Sequence, residues 1–206
     1  MQLLLQTDLT SAEYVSQQGW RQANLPHCPL HAGGGCGFKR HTAYVRKIPE
    51  GTRVARWYCP LGRVTFSLLP SFLASRLPGT LAEVELAADA AEGAGTLAEA
   101  TRSLRPDLAD ERSARRWLRR RVRAVRAALL ALVTLVVELA GVPATLRDVR
   151  HALGAVSVLG EVRQRLGERL PSLLAPVGFQ ARSPARAKRG VVQQQTMGPD
   201  PPDGGK

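Results

Sequence analysis

The chain has 206 residues, a formal net charge of +12 and an isoelectric point near 10.9. Its length suits one medium domain or two small ones, and its excess charge comes mostly from arginine. A guanidinium can donate to two phosphate oxygens at once, so nucleic acid is the first partner to consider and an anionic membrane surface the second.

Two further features of composition bear on location. The longest apolar stretch, 127–139, is interrupted by Thr134 and Glu138 and is shorter than the roughly 20 residues of a membrane span. The basic and apolar stretches of this region follow one another along the chain, whereas a helix at a membrane surface has both faces along the same length, so we expect no membrane partner. The three cysteines are odd in number, and the N-terminus lacks a signal-peptide pattern. Reduced thiols and a cytoplasmic location are therefore expected.

The first 78 residues are predicted to form an arm and a small β module. Residues 1–25 are interpreted as a helical arm, because Thr10 and Glu13 form a capping box. The module spans 26–78. Its strands are predicted from alternating β-branched and aromatic residues, at 41–48, 53–58 and 64–69.

Five potential soft-metal ligands lie in one short part of this module: Cys28, His31, Cys36, His41 and Cys59. Zinc takes about four nitrogen or sulfur ligands, and Cys28 and His31 have the two-residue spacing of a knuckle. We predict a Zn²⁺ site from Cys28, His31, Cys36 and Cys59, with His41 in reserve. The alternative is that the cysteines are small buried apolar residues and the module folds on its hydrophobic residues alone.

A helical domain is predicted over 79–180, where alanine, leucine, glutamate and arginine dominate. Helices are expected to begin at the repeated Thr-Leu-Ala-Glu sequences of 80–83 and 96–99. A long helix should follow from Asp110 to about Ala140, and two shorter ones at 145–154 and 157–170. Residues 181–206 have few large apolar groups, so a disordered basic tail is predicted.

Arginine occupies eight of the fifteen positions from 112 to 126, largely opposite an apolar stripe of the long helix. Together with the helix before it, this segment has the dimensions of a helix-turn-helix over 96–126. Pairing of these arginines with Glu83, Glu85, Asp89, Glu92 and Glu99 is the competing interpretation. We predict that nucleic acid binds Arg112, Arg115, Arg116, Arg119, Arg120, Arg123, Arg126, and the module residues Lys39, Arg40, Arg46 and Lys47.

The stretch from Cys28 to Pro70 resembles the zinc-ribbon segment at the front of many bacterial insertion-sequence transposases. The resemblance rests on Arg-Trp-Tyr-Cys-Pro at 56–60 and Thr-Phe-Ser-Leu-Leu-Pro at 65–70. The run from Ser113 to Arg120 is also similar to the recognition helix found downstream of such ribbons. The family implies a last ligand where this chain has Gly62 and Arg63, so His31, Cys36 or His41 would have to take that place.

The fold class predicted is α+β, a zinc-ribbon-like hairpin module followed by an all-α domain. The function predicted is non-catalytic DNA binding related to transposases or mobile elements, without a small-molecule substrate. After residue 80 there are no predicted strands to carry a three-acid transposase core, and no tyrosine follows Tyr58. The alternatives are a structural protein that forms a homo-oligomer through its helical domain and, third, an uncharacterised metalloenzyme.

Overall fold

The computed structural model describes residues 1–107 and 110–180, and the predicted tail at 181–206 lies outside them. The fold is α+β. One four-stranded sheet has the order β1, β4, β3, β2, with β1 parallel to β4 and the other neighbours antiparallel. The strands are β1 (Gln2–Leu5), β2 (Lys39–Val45), β3 (Arg53–Cys59) and β4 (Val64–Pro70).

Two short helices lie between β1 and β2, and five more follow the sheet. Hydroxyl or carboxylate side chains cap most of them: Thr10 and Thr80 in full capping boxes, and Thr96 and Asp110 by accepting backbone N–H groups. The helices are α1 (Ser11–Ser16), α2 (Gly19–Gln22), α3 (Leu81–Gly93), α4 (Leu97–Leu104), α5 (Glu111–Leu135), α6 (Leu146–Leu153) and α7 (Val158–Arg165).

Four elements differ from the sequence-based expectation. Strand β2 spans Lys39–Val45, whereas the sequence predicts 41–48. Strand β1 lies within the segment 1–25 that the sequence predicts as a helical arm, because its four residues become a strand only by pairing with β4 more than sixty positions away. Helix α5 ends at Leu135, where Val136 turns to an extended conformation before a short 3₁₀ turn. Helix α7 ends at Arg165 and gives way to a 3₁₀ segment containing Pro171, whose ring cannot continue an α-helix.

The sheet and the helices share their largest apolar core. Val54 and Leu69, on one face of the sheet, pack with α3, α5, α6 and α7. The other face carries Trp57 and Phe66 against the N-terminal arm. A smaller cluster joins α3, α4 and α5 around Leu118. Within the described residues, no helix has both the length and the apolar character needed to cross a bilayer.

Buried guanidinium groups anchor the segment between β4 and α3, residues 71–79. Arg163 of α7 is 1% exposed and donates to the carbonyl oxygens of Ser71, Leu73, Pro176 and Val177. Burial, with a smaller effect of Arg46, lowers the pKa of Arg163 to about 9, so it stays protonated at neutral pH. The segment has no regular secondary structure, and this side chain supplies donors that its buried carbonyls need.

Replacing Arg163 with methionine should destabilise the fold by about 3 kcal/mol, because several buried carbonyl groups lose their donor at once. Urea unfolding measures this change. The matched control is Arg165→Met on the same helix. Arg165 is exposed and pairs with Glu161 one turn away, so its loss should cost only about 0.5 kcal/mol. Equal losses in the two variants would contradict the anchoring role of Arg163.

Candidate functional site

Four potential ligands converge at one end of the sheet. The ligand atoms of Cys28, His31, Cys36 and Cys59 all lie within 4.8 Å of one another. His31 Nδ1 is 3.4 Å from the sulfur of Cys28 and 3.4 Å from that of Cys59. Zinc bonds of about 2.3 Å to sulfur and 2.0 Å to nitrogen give tetrahedral edges of roughly 3.5 to 3.8 Å. These four side chains could therefore hold a metal ion.

The local chain path explains the convergence. Cys28 and His31 face each other across a tight turn closed by the His31 N–H on the Cys28 carbonyl, 3.1 Å away. Cys36 lies between Gly35 and Gly37, whose φ angles of 73° and 69° favour glycine and turn the chain back toward the sheet. Cys59 is the last residue of β3. A loop and a strand end thus contribute to one cluster.

Gly62 occupies the position at which a transposase-type ribbon would have its last ligand. Its backbone N–H donates to the sulfur of Cys59 at 3.2 Å. A Cβ atom at this position would lie 2.9 Å from Leu30 Cδ1 and 3.4 Å from the Cys59 sulfur. Residue 62 therefore supports the cluster through its backbone, and His31 is the fourth residue whose ligand atom lies there.

His41, the reserve ligand of the sequence analysis, does not join the cluster. It lies in β2, pairs with Arg56 across the hairpin, and is exposed. Its ring meets that of Tyr58 edge to face at 6.4 Å between centroids. The sequence analysis places His31 in the site and His41 in reserve, and the four residues that the fold brings together are those of the predicted site.

The thiols of the cluster differ in acidity. Burial opposes ionisation of Cys28, but hydrogen bonds from His31, the Leu30 backbone and the other two thiols outweigh it and lower its pKa to about 7. Burial raises the pKa of Cys36, and its neighbours Cys28 and Cys59 add to that effect. One thiol is thus close to the thiolate form that a metal requires.

We expect His31→Ala to weaken cobalt(II) binding by roughly 100-fold, because one of four ligands is lost. His41→Ala is the matched control and should change the affinity less than about twofold, since its ring lies outside the cluster. Titration followed by the visible d–d absorption of cobalt measures both. If His41→Ala caused the larger loss, His31 would not be the fourth ligand.

The second candidate surface is the arginine-rich side of α5. Ala114, Leu118, Val125 and Leu129 are buried against the rest of the protein, as the predicted apolar stripe requires. Seven arginines of the same helix are exposed: Arg112, Arg115, Arg116, Arg119, Arg120, Arg123 and Arg126. We call these seven residues the arginine face. They are the α5 residues that the sequence analysis assigned to nucleic acid.

The eighth arginine of α5, Arg121, is buried and stabilises the fold. Arg121 is 5% exposed, lies 4.1 Å from the ring centroid of Trp117 and donates to the Pro78 carbonyl at 3.0 Å. Burial lowers its pKa to about 10. Arg105 stacks on the same indole at 5.2 Å. This arrangement ties α5 to α4 and to the segment before α3, and it fixes which side of α5 turns outward.

The acidic residues of α3 have partners outside the arginine face. The buried carboxylate of Glu85 accepts from Ser157 Oγ and from the backbone N–H groups of Val158 and Leu159, and it pairs with Arg150 at 3.1 Å. Asp89 pairs with the same arginine at 2.6 Å. Both carboxylates are therefore engaged by α6 and the start of α7.

Two further acids of α3 also have partners away from the arginine face. Glu92 accepts from the Leu146 N–H at the start of α6, and Glu83 completes the capping box of α3. Among the described residues, the ion pair that involves the arginine face joins Arg115 to Glu111 at 2.5 Å, with both side chains about half exposed. An exposed pair of this kind contributes little, so the positive field of the face persists.

The cations of the module divide into two groups. Lys39 and Lys47 are exposed. Arg40 stacks on Trp57 and donates to the carbonyls of Trp20 and Ala23. Arg46 donates to the carbonyls of Ala74 and Leu77. The two arginines thus brace the fold, a role that charge patterning along the chain does not reveal.

Comparison of the chain with protein-family models, with curated proteins and with solved structures finds no match.

Proposed function

We propose that this protein binds duplex DNA, with the arginine face of α5 as its main contact. The observation that carries the proposal is the charge imbalance of that helix: eight arginines and one acid lie between Glu111 and Leu135, and seven of the arginines are exposed. Phosphate oxygens are the natural partners of such a row of guanidinium groups, and their neutralisation releases counterions. The protein then acts as a non-catalytic binding module.

The packing of α4 and α5 supports insertion of α5 as a helix-turn-helix recognition element. The two helices meet through the cluster around Leu118, and Thr96 and Asp110 cap their N-termini. This leaves the first half of α5 presented on the surface with arginine as its main polar residue. Helix α5 contains no Asn or Gln, the side chains that commonly read adenine. We therefore propose that its direct base contacts are hydrogen bonds from arginine to guanine.

We further propose that the Cys28, His31, Cys36 and Cys59 cluster binds zinc in a structural role. Three cysteines and one histidine fill all four positions of a tetrahedral site, the pattern of closed structural zinc sites. The ion would hold the loop that precedes β2 against the end of β3. The resemblance of 28–70 to transposase ribbons supports a place for this protein among mobile-element proteins.

We expect Arg116→Gln, Arg119→Gln and Arg123→Gln, combined in one variant, to weaken duplex binding and to reduce the salt dependence. Each lost phosphate contact should lower the slope of log K against log salt by about 0.9, so three contacts give a decrease of about 2.7. Fluorescence anisotropy with a labelled duplex at several salt concentrations measures the slope.

The matched control for that variant removes the same net charge from other elements. Arg147, Arg165 and Arg169 are exposed and lie on α6, α7 and the following 3₁₀ segment. Their replacement by glutamine should lower the slope by less than one unit, since only the long-range field changes. If both triple variants gave the same slope, or if the wild type had no affinity at low salt, the duplex-binding proposal would fail.

Zinc should be present at one equivalent per chain in protein purified without chelators. Its removal should lower the thermal transition, because an ion that binds only the folded state stabilises that state. Elemental analysis and calorimetry measure these two quantities. Cys59→Ser should show no bound zinc, whereas His27→Ala should keep the full equivalent because His27 lies outside the cluster. Wild-type protein without zinc would refute the assignment.

Self-association is a second candidate function, and exposed apolar residues at the end of α5 favour it. Leu130, Leu135 and Val137 are 55%, 48% and 85% exposed. A homo-oligomer that buried them would gain apolar contact and would place two arginine faces in one assembly. Light scattering of wild type and of Val137→Asp tests this candidate: a stable oligomer without DNA affinity would favour it over the leading proposal.

A further inference from the structure

Val54 and Leu69 bury one part of a sheet face under the helices, and Tyr44 packs at the edge of that core. Beyond it, the same face brings together aromatic and cationic side chains that the proposed duplex contact does not use. Residues paired directly across neighbouring strands point to the same side. Lys39 pairs with Tyr58, His41 with Arg56, and Tyr44 with Val54. We call Lys39, His41, Tyr44, Arg56 and Tyr58 the aromatic face. It lies opposite the side on which Trp57 and Phe66 are buried.

An irregularity in β2 makes this face continuous. The pairing register shifts between His41 and Tyr44, so three steps along β2 match two steps along β3. Without that extra residue, side chains three positions apart would point to opposite sides of the sheet. The bulge therefore returns Tyr44 to the side that carries His41 and Tyr58. The face runs from the metal cluster toward the helical core.

The rings and cations of the face are placed side by side. The His41 and Tyr58 rings meet at 6.4 Å between centroids with an interplanar angle of 68°. The Arg56 guanidinium lies 5.9 Å from the Tyr44 ring centroid. Lys39 and His41 are exposed, and Tyr44, Arg56 and Tyr58 are partly exposed. Flat groups and positive charges thus alternate over a surface that remains accessible among the described residues.

The charge of this region has one sign. The four strands contain no acidic residue, and from 14 to 82 the chain has nine lysines and arginines and one acid, Glu50. The N-terminal amine donates to the Thr65 carbonyl on the neighbouring strand, and burial together with Arg76 and Arg56 lowers its pKa. A polyanion would meet no repulsive group of the sheet itself.

We propose that the aromatic face binds single-stranded DNA, with unpaired bases stacked on Tyr58 and His41 and phosphates held by Lys39 and Arg56. In a duplex the base faces are stacked within the helix, so a stacking surface selects unpaired strands. Because aromatic stacking accepts any base, binding here is tolerant of sequence. The choice of DNA over RNA rests on the proposed duplex function, while the stacking surface itself is separate from α5.

The zinc-loaded full chain with Tyr58→Ala and His41→Ala tests this site. The probe is a fluorescein-labelled 20-mer of thymidine, with a 20-base-pair duplex and a 20-mer of uridine measured alongside. The double variant should bind the single DNA strand about 10-fold more weakly, and its duplex affinity should change less than twofold. Tyr58→Phe keeps the ring and should bind like wild type, as should His27→Ala, whose histidine lies outside the face.

The outcomes separate this site from the duplex site. The Arg116, Arg119 and Arg123 triple variant should lose duplex affinity and keep most of its affinity for the single strand. An unchanged affinity of the double variant for the thymidine strand overturns the proposal, and so does an equal loss for both DNA forms. Binding of the uridine strand without binding of the thymidine strand also overturns it.

A measurement on the wild type makes the test independent of how well the variants fold. Photocrosslinking with a single strand containing 5-iodouracil, followed by mass spectrometry, should place adducts on the peptides of β2 and β3 that contain His41 and Tyr58. Adducts confined to α5 would overturn the proposal.

Discussion

The structure depends on how the irregular segment 71–79 satisfies its buried backbone carbonyls. Arg163 reaches it from α7 and Arg46 from β2, and both donate to carbonyl oxygens. In the other direction, the Ser75 N–H of this segment donates to the Pro176 carbonyl at 2.9 Å. A segment without a ladder or helix of its own has to find such donors, since an unpaired buried carbonyl is costly. These contacts hold the sheet and the helices in one arrangement and thereby fix the relative positions of the two basic surfaces.

The same use of polar groups inside the fold explains the strength of the positive field on α5. Glu85 is buried because it caps α7 and pairs with Arg150, and Glu92 serves the start of α6. Carboxylates used inside the helical domain are not available to neutralise its outer arginines. The same contacts of Glu85 and Glu92 therefore stabilise the helical packing and keep these carboxylates from neutralising the arginine face. This link favours phosphate as the partner, because the arginines retain their donors for a ligand.

The cluster of Cys28, His31, Cys36 and Cys59 lies at the end of the β2–β3 hairpin, which carries the aromatic face. Cys36 precedes β2 by three residues and Cys59 ends β3, so an ion there would fix the end of the hairpin on which Lys39 and Tyr58 face each other. The arginine-rich first half of α5 packs against α3 and α4 through the cluster around Leu118. Loss of metal should therefore affect the aromatic face more than the arginine face.

The sequence by itself determined the local elements and the chemistry present. The capping boxes at Thr10 and Thr80 located helix starts, the alternation in 53–58 located β3, and the clustering of cysteines and histidines indicated a metal site, because each of these signals depends on near neighbours. Only the tertiary structure decided that Arg121, Arg40 and Arg46 brace the fold and that β1 joins the sheet. It also showed that the loop of Cys36 and the end of β3 meet at Cys28 and His31, while His41 lies outside that cluster. Those outcomes depend on contacts between residues far apart in the sequence, which local patterns along the chain do not specify.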